Sequence, residues 1–85
     1  MENWKEENNT LHKIYMFSSF EAAMAFMQHA SAKISELNHH PEWSNLYNKV
    51  SVRLTTHDAG NVITQKDREL ASLLDSVFDA LNELP

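Results

Sequence analysis

Eighty-five residues with a formal net charge of −5, 42% apolar and 22% charged, with one Gly and two Pro, suit one small globular domain spanning 1–85. The lack of cysteine excludes disulfides, thiol nucleophiles and cysteine-based zinc sites, and the acidic balance argues against a phosphate-backbone partner. No apolar run reaches the ~20 residues of a membrane span, and the polar start MENWKEENN is unlike a signal peptide. The expectation is therefore a cytoplasmic protein with no direct contact to membrane or nucleic acid.

The segment from Trp4 to Phe17 predicts a hairpin. Asn8-Asn9 suits the turn, because asparagine tolerates positive φ, and Thr10 to Phe17 is rich in β-formers. Ser18-Ser19-Phe20-Glu21 reads as a capping box opening a helix. Phe20, Ala23, Met24, Met27, Ala30, Ile34 and Leu37 then recur at helical spacing as one apolar stripe, and Asn38 suits the exit. After His39-His40-Pro41, two strands are expected, Glu42–Tyr47 and Lys49–Thr56. In the second, Val50, Val52 and Leu54 alternate with Ser51, Arg53 and Thr55, and His57 continues the polar parity.

A loop with the one glycine, Gly60, leads to Thr64-Gln65-Lys66-Asp67, a second capping box with Asp in place of Glu. Leu70, Leu73, Leu74, Val77, Phe78 and Leu81 form the stripe of the next helix. The order ββαββα predicts an α+β fold, a four-stranded antiparallel sheet with two helices packed on one face. Such a sheet has a polar face and a free edge, which favours at least a homodimer.

Three of the five histidines bracket the second hairpin. Antiparallel pairing sets the start of one strand beside the end of the next, so His39 and His40 should approach His57. Imidazole titrates near ~6.5, which suits proton transfer at neutral pH. The bland alternative is a loop in which His-His-Pro only stops a helix. Asp58 or Asp67 could join the histidines around zinc, but adjacent histidines on extended backbone point apart and no HxH or HxxxH pair occurs. Trp43, close to His40, could stack on a flat heteroaromatic ring, although tryptophans more often fill cores. Asp67 is first of all a helix-start carboxylate.

The run HHPEWSNLYNKVSVRLTTHD, with FSSFEAAMAFM upstream and TQKDRELASLLD downstream, closely resembles the pterin-4a-carbinolamine dehydratases, also known as dimerisation cofactors of a homeodomain transcription factor. The resemblance implies the same α+β sheet-and-helix fold. It also implies dehydration of 4a-hydroxytetrahydropterin to quinonoid dihydropterin, a step in tetrahydrobiopterin recycling that needs a general acid at the leaving hydroxyl and a base for the N5 proton. No cofactor or metal is implied.

By the same resemblance, His39 and His57 are the acid/base candidates and His40 binds and orients the pterin. Trp4, Pro41, Trp43, Thr55 and Thr56 would line the pocket, and Asp67 would hold a histidine. The implied partners are a reduced pterin, a second copy in a dimer or dimer of dimers, and, as a rival role, a transcription factor's dimerisation segment on the helical face, which would add a nuclear location.

Three departures accompany the resemblance. Ser35 stands where relatives carry an ionisable residue four before the histidine pair. The stretch Gly60-Asn61-Val62-Ile63-Thr64 is one residue longer than usual. Relatives carry a further helix ahead of the Trp4 strand, which is not in this chain.

Overall fold

The computed structural model describes residues 3–82, so the two residues before and three after this span of the expected 1–85 domain lie outside the described residues. Its elements are β1 (Lys5–Glu7), β2 (Thr10–Met16), α1 (Phe20–Leu37), β3 (Glu42–Leu46), β4 (Lys49–Leu54), a 3-10 turn (His57–Ala59) and α2 (Gln65–Asn82). The four strands form one antiparallel sheet in the order β1-β2-β4-β3, the expected α+β architecture.

Asn8 and Asn9 both take positive φ, 52° and 62°, the left-handed pair that a two-residue hairpin turn requires. β4 sits in the middle of the sheet, pairing with β2 on one side and β3 on the other. Its period-2 pattern buries Val50, Val52 and Leu54 completely or nearly so. Each such side chain contributes ~1.5–3 kcal/mol of burial. Leu11 and Tyr15 of β2 join them, and Ala23, Phe26, Ala30 and Ile34 of α1 with Leu70, Ala71, Leu74 and Val77 of α2 complete the core.

The helix starts differ from the sequence reading in an instructive way. The N-cap of α1 is Ser19, not Ser18: the Ser19 hydroxyl accepts from the Ala22 N–H at 3.0 Å. The buried face of α1 also differs from the expected stripe. Phe20 and Met24 are exposed, whereas Phe26, outside the expected stripe, is fully buried between Tyr15, Phe17 and Phe78, with centroids 4.8–6.3 Å away. Alanines at 23 and 30 leave room for this ring against the sheet. The second hairpin is also shorter than expected, because Tyr47 takes the left-handed conformation (φ 53°) and turns the chain before Asn48.

Lys13 faces the helices between Leu11 and Tyr15, an unusual place for a charge. It is satisfied by Asp75 of α2 at 2.7 Å, which also accepts from Trp4 Nε1 at 3.0 Å and from the Tyr15 hydroxyl. This network ties the first hairpin to the middle of α2.

A candidate acid–base cleft at the sheet end

Two chain reversals build the site. α1 ends at Asn38, whose φ of 54° lets its N–H return to the carbonyls of Ile34 and Ser35. The chain then crosses towards β3, where Glu42 pairs with Arg53. Continuing that register sets His40 level with Thr55 and His39 level with Thr56. Beyond Thr56, His57 begins the 3-10 turn and so leaves the extended parity that the sequence suggested. Asn38, His39, His40, Thr55, Thr56, His57, Asp58 and Lys66 line a cleft of about 220 Å³. That is below the ~300–1,000 Å³ of sites for drug-sized ligands and suits a small ring system.

Behind the His39 and Thr56 wall of this cleft lies a fully buried carboxylate. Asp67, in the first turn of α2, accepts from three donors: His39 Nε2 at 2.6 Å, the Thr56 hydroxyl at 2.8 Å and the Thr64 N–H at 2.9 Å. The last of these is half of the expected capping box. The other half is absent, because the Thr64 hydroxyl pairs with the Thr56 hydroxyl at 2.6 Å instead. Thr56 spends its one hydrogen on Asp67, so Thr64 donates to Thr56. The chain of groups is thus fully ordered, and among the described residues no buried side-chain polar atom lacks a partner.

This order decides the state of His39. A carboxylate oxygen only accepts, so the nitrogen facing it carries a hydrogen. The neutral ring is the Nε2–H tautomer, with Nδ1 left to accept or, when protonated, to give up a proton. A buried carboxylate behind a half-buried imidazole is the arrangement that fixes both ring orientation and tautomer in acid–base sites. His57 is held differently. Its Nδ1 donates to Asn61 Oδ1 at 2.6 Å, which leaves Nε2 open. His40 is exposed at the rim.

Other expected residues fall elsewhere. Trp4 does not line the cleft: it is buried against Tyr15, with centroids 6.2 Å apart, and donates to Asp75. Trp43 and Pro41 are half-buried outside the cleft lining, and Trp43 packs edge-on against Phe26 at 6.5 Å. Thr55 does line the cleft, and its hydroxyl donates to the Asn9 carbonyl across the two hairpins. Ser35 is exposed and does not line the cleft, though its carbonyl helps cap Asn38. Sequence reasoning missed Asn38 and Lys66 as lining residues. Lys66 could have been found from its place directly before Asp67 at the helix start. Among the described residues no group of three or more His, Asp or Glu is placed to hold a metal ion.

The sequence matches the family described as pterin 4 alpha carbinolamine dehydratase over residues 1–77. A protein of Opitutus terrae named "Putative pterin-4-alpha-carbinolamine dehydratase" is 48% identical over 77 residues, covering 91% of this chain and 79% of that protein. One of the same name from Solibacter usitatus is 47% identical over 74 residues, covering 87% and 77%. The crystal structure of a transcriptional coactivator/pterin dehydratase from Brucella melitensis superposes with a TM-score of 0.85 at 32% identity, over 91% of this chain and 83% of that one. A pterin dehydratase-like RuBisCO assembly factor of the alpha-carboxysome shares the fold, with a TM-score of 0.70 at 21% identity over 87% and 84%.

Proposed function

The chain belongs to the pterin-4a-carbinolamine dehydratase family, and on that footing we propose that it dehydrates 4a-hydroxytetrahydropterin to quinonoid dihydropterin and water. The observation that carries the reading is the Asp67–His39 pair facing the cleft that His40 and His57 share. Loss of the C4a hydroxyl requires a proton on the departing oxygen, and neutrality of the product requires the N5 proton to leave. One imidazole gives the first proton and another takes the second.

Whatever the charge of His39, its Nε2–H keeps donating to Asp67 and only Nδ1 changes state. Its contribution to the barrier is therefore proton transfer at one fixed nitrogen. His40, exposed at the rim beside Pro41, is suited to bind and orient the ring. Thr55 and Thr56 shape the wall, and the Thr56 hydroxyl acts through Asp67 rather than on the substrate. Trp4, buried on Asp75, supports the fold in this reading and does not touch the pterin.

The test is stopped-flow decay of chemically generated carbinolamine. The protein should accelerate it, and His39→Ala should abolish most of that acceleration. Equal rates with wild type, variant and buffer would sink the proposal.

A second role has one observation in its favour. The outer side of the helices bears an apolar groove of about 320 Å³ lined by His29, Lys33, Leu73, Val77, Ala80 and Leu81, among others. The Brucella relative is named a coactivator as well as a dehydratase. A transcription factor's dimerisation segment docking in this groove would leave the cleft free, so the two roles are compatible. Binding that survives His39→Ala and fails in Leu73→Lys would support it.

A further inference from the structure

The loop after β4 holds the second oriented imidazole, and its construction is independent of Asp67. Thr56 and Val62 close the loop with an isolated antiparallel bridge, the Thr56 N–H donating to the Val62 carbonyl at 3.0 Å. Inside this neck the Thr56 carbonyl accepts from the N–H groups of Ala59 and Asn61 at 3.3 and 3.1 Å. The Gly60 N–H donates to the His57 carbonyl at 3.0 Å. The backbone is therefore pinned although His57 to Asn61 are all exposed.

Gly60 and Asn61 are successive left-handed residues, with φ of 90° and 60°. Glycine reaches this region freely, and asparagine is among the few side-chain-bearing residues that visit it readily. A second glycine would serve the backbone equally well. Asparagine adds a carbonyl oxygen, and that oxygen lies 2.6 Å from His57 Nδ1. Among the described residues no other side chain hydrogen-bonds the His57 ring. An exposed imidazole without this bond would exchange between tautomers and rotamers, so the bond has something to decide.

We propose that Asn61 is a positioning residue for His57: by accepting from Nδ1–H it fixes the tautomer and leaves Nε2 as the proton-transferring nitrogen. The catalytic use rests on the dehydratase reading, whereas the tautomer does not. The side chains that share the cleft with His57 are His39, His40, Asp58 and Lys66, and none of them takes its Nδ1.

Two variants separate position from structure. Asn61→Gly keeps the left-handed backbone and removes the acceptor, and Asn61→Asp keeps an acceptor oxygen. Long-range ¹⁵N–¹H NMR at about pH 9, above the ordinary range of histidine, reads the neutral tautomer directly. The expected result is a dominant Nδ1–H form of His57 in wild type and Asn61→Asp, and a mixture in Asn61→Gly. In the carbinolamine assay Asn61→Gly should lower kcat about 5- to 20-fold with KM within about twofold, a fraction of the ~10²-fold or more that losing the whole imidazole removes. Asn61→Asp should recover most of that loss.

A dominant Nε2–H form in wild type, an unchanged tautomer in Asn61→Gly, or equal loss of kcat in both variants would overturn the assignment. If wild type shows no dehydration at all, the functional reading falls, and the NMR arm still decides whether Asn61 sets His57.

Discussion

Replacing Asp67 by asparagine changes one atom's chemistry and almost nothing of its shape. Three donors converge on this side chain: the His39 ring, the Thr56 hydroxyl and the Thr64 backbone N–H. An amide offers one acceptor oxygen and one NH₂, so one position must reverse. The Thr64 N–H cannot rotate away, which keeps the oxygen at the Thr56 and Thr64 side. The NH₂ group then faces His39 Nε2, and that nitrogen must accept. His39 is forced into the Nδ1–H tautomer, and the nitrogen open to the cleft loses its lone pair.

The expected cost to kcat is that of disabling a positioned acid or base, ~10²–10⁴-fold, with KM changed far less. Stability should fall too, because charge-assisted bonds from His39 and Thr56 become neutral ones. A loss of ~2 kcal/mol is the ordinary scale, or ~8–16 °C in Tm for a domain of this size. Carbinolamine decay gives the rate, circular dichroism gives the melting point, and ¹⁵N NMR gives the His39 tautomer. A folded Asp67→Asn protein with kcat within threefold of wild type would refute the coupling of this carboxylate to proton transfer.

Other outcomes follow from the same geometry. His57→Ala should lower kcat ~10²-fold or more, and His40→Ala, in its proposed role of binding the pterin alike in ground and transition state, should chiefly raise KM. His12 on β2 and His29 on α1 serve as controls, and a loss at either as large as at His57 in a folded protein would refute the assignment. Burial first, then the hydrogen bond and charge of Asp75 and the charge of Asp79, push the Tyr15 phenol far above its ordinary value. The unfolded chain therefore releases this proton near pH ~10 while the folded one keeps it, so stability is whole below pH ~10 and falls as pH rises above it. Tyr15→Phe should lack that alkaline decline, and parallel Tm curves for the two proteins above pH 10 would contradict it. The sheet leaves β1 and β3 as edges, with Leu46 and Tyr47 exposed at the end of β3. A dimer at micromolar concentration is expected from sedimentation, and a purely monomeric protein would refute it.

The fold was legible where one period dominates. β4 alternates without exception from Val50 to Leu54, and α2 carries a leucine-rich stripe, so their inner faces could be read directly. α1 was not fully legible, because its apolar residues cover more than half the circumference. With Phe20, Met24 and Phe26 all available, packing against Tyr15, Phe17 and Phe78 decides which of them is buried, and that packing is long-range. The histidine cluster was legible because antiparallel register alone brings His39 and His57 together. The Thr56–Thr64–Asp67 chain was not, since its hydroxyls depend on which lone pairs the buried carboxylate leaves free. The Asn61 contact was hidden for another reason: a turn written with asparagine looks the same whether its side chain is used or idle.

The two oriented histidines differ in a way that fits their exposure. His39 is held from behind by a buried carboxylate and presents Nδ1, whereas His57 stands exposed and presents Nε2 past an asparagine on its own turn. In the proposed reaction, dehydration consumes one proton at the hydroxyl and releases one at N5, so each turnover would end with the acid and the base having exchanged states. Restoring them requires proton exchange with solvent. The half-buried ring, fixed on Asp67, can hold one geometry through the chemical step, and the exposed ring can re-equilibrate with water between steps. A neutral amide behind His57 sets the ring's direction without adding a charge that would hold the proton there. Asn61→Asp tests this division of labour: the tautomer should persist while kcat recovers short of wild type, because a carboxylate there would slow the reset.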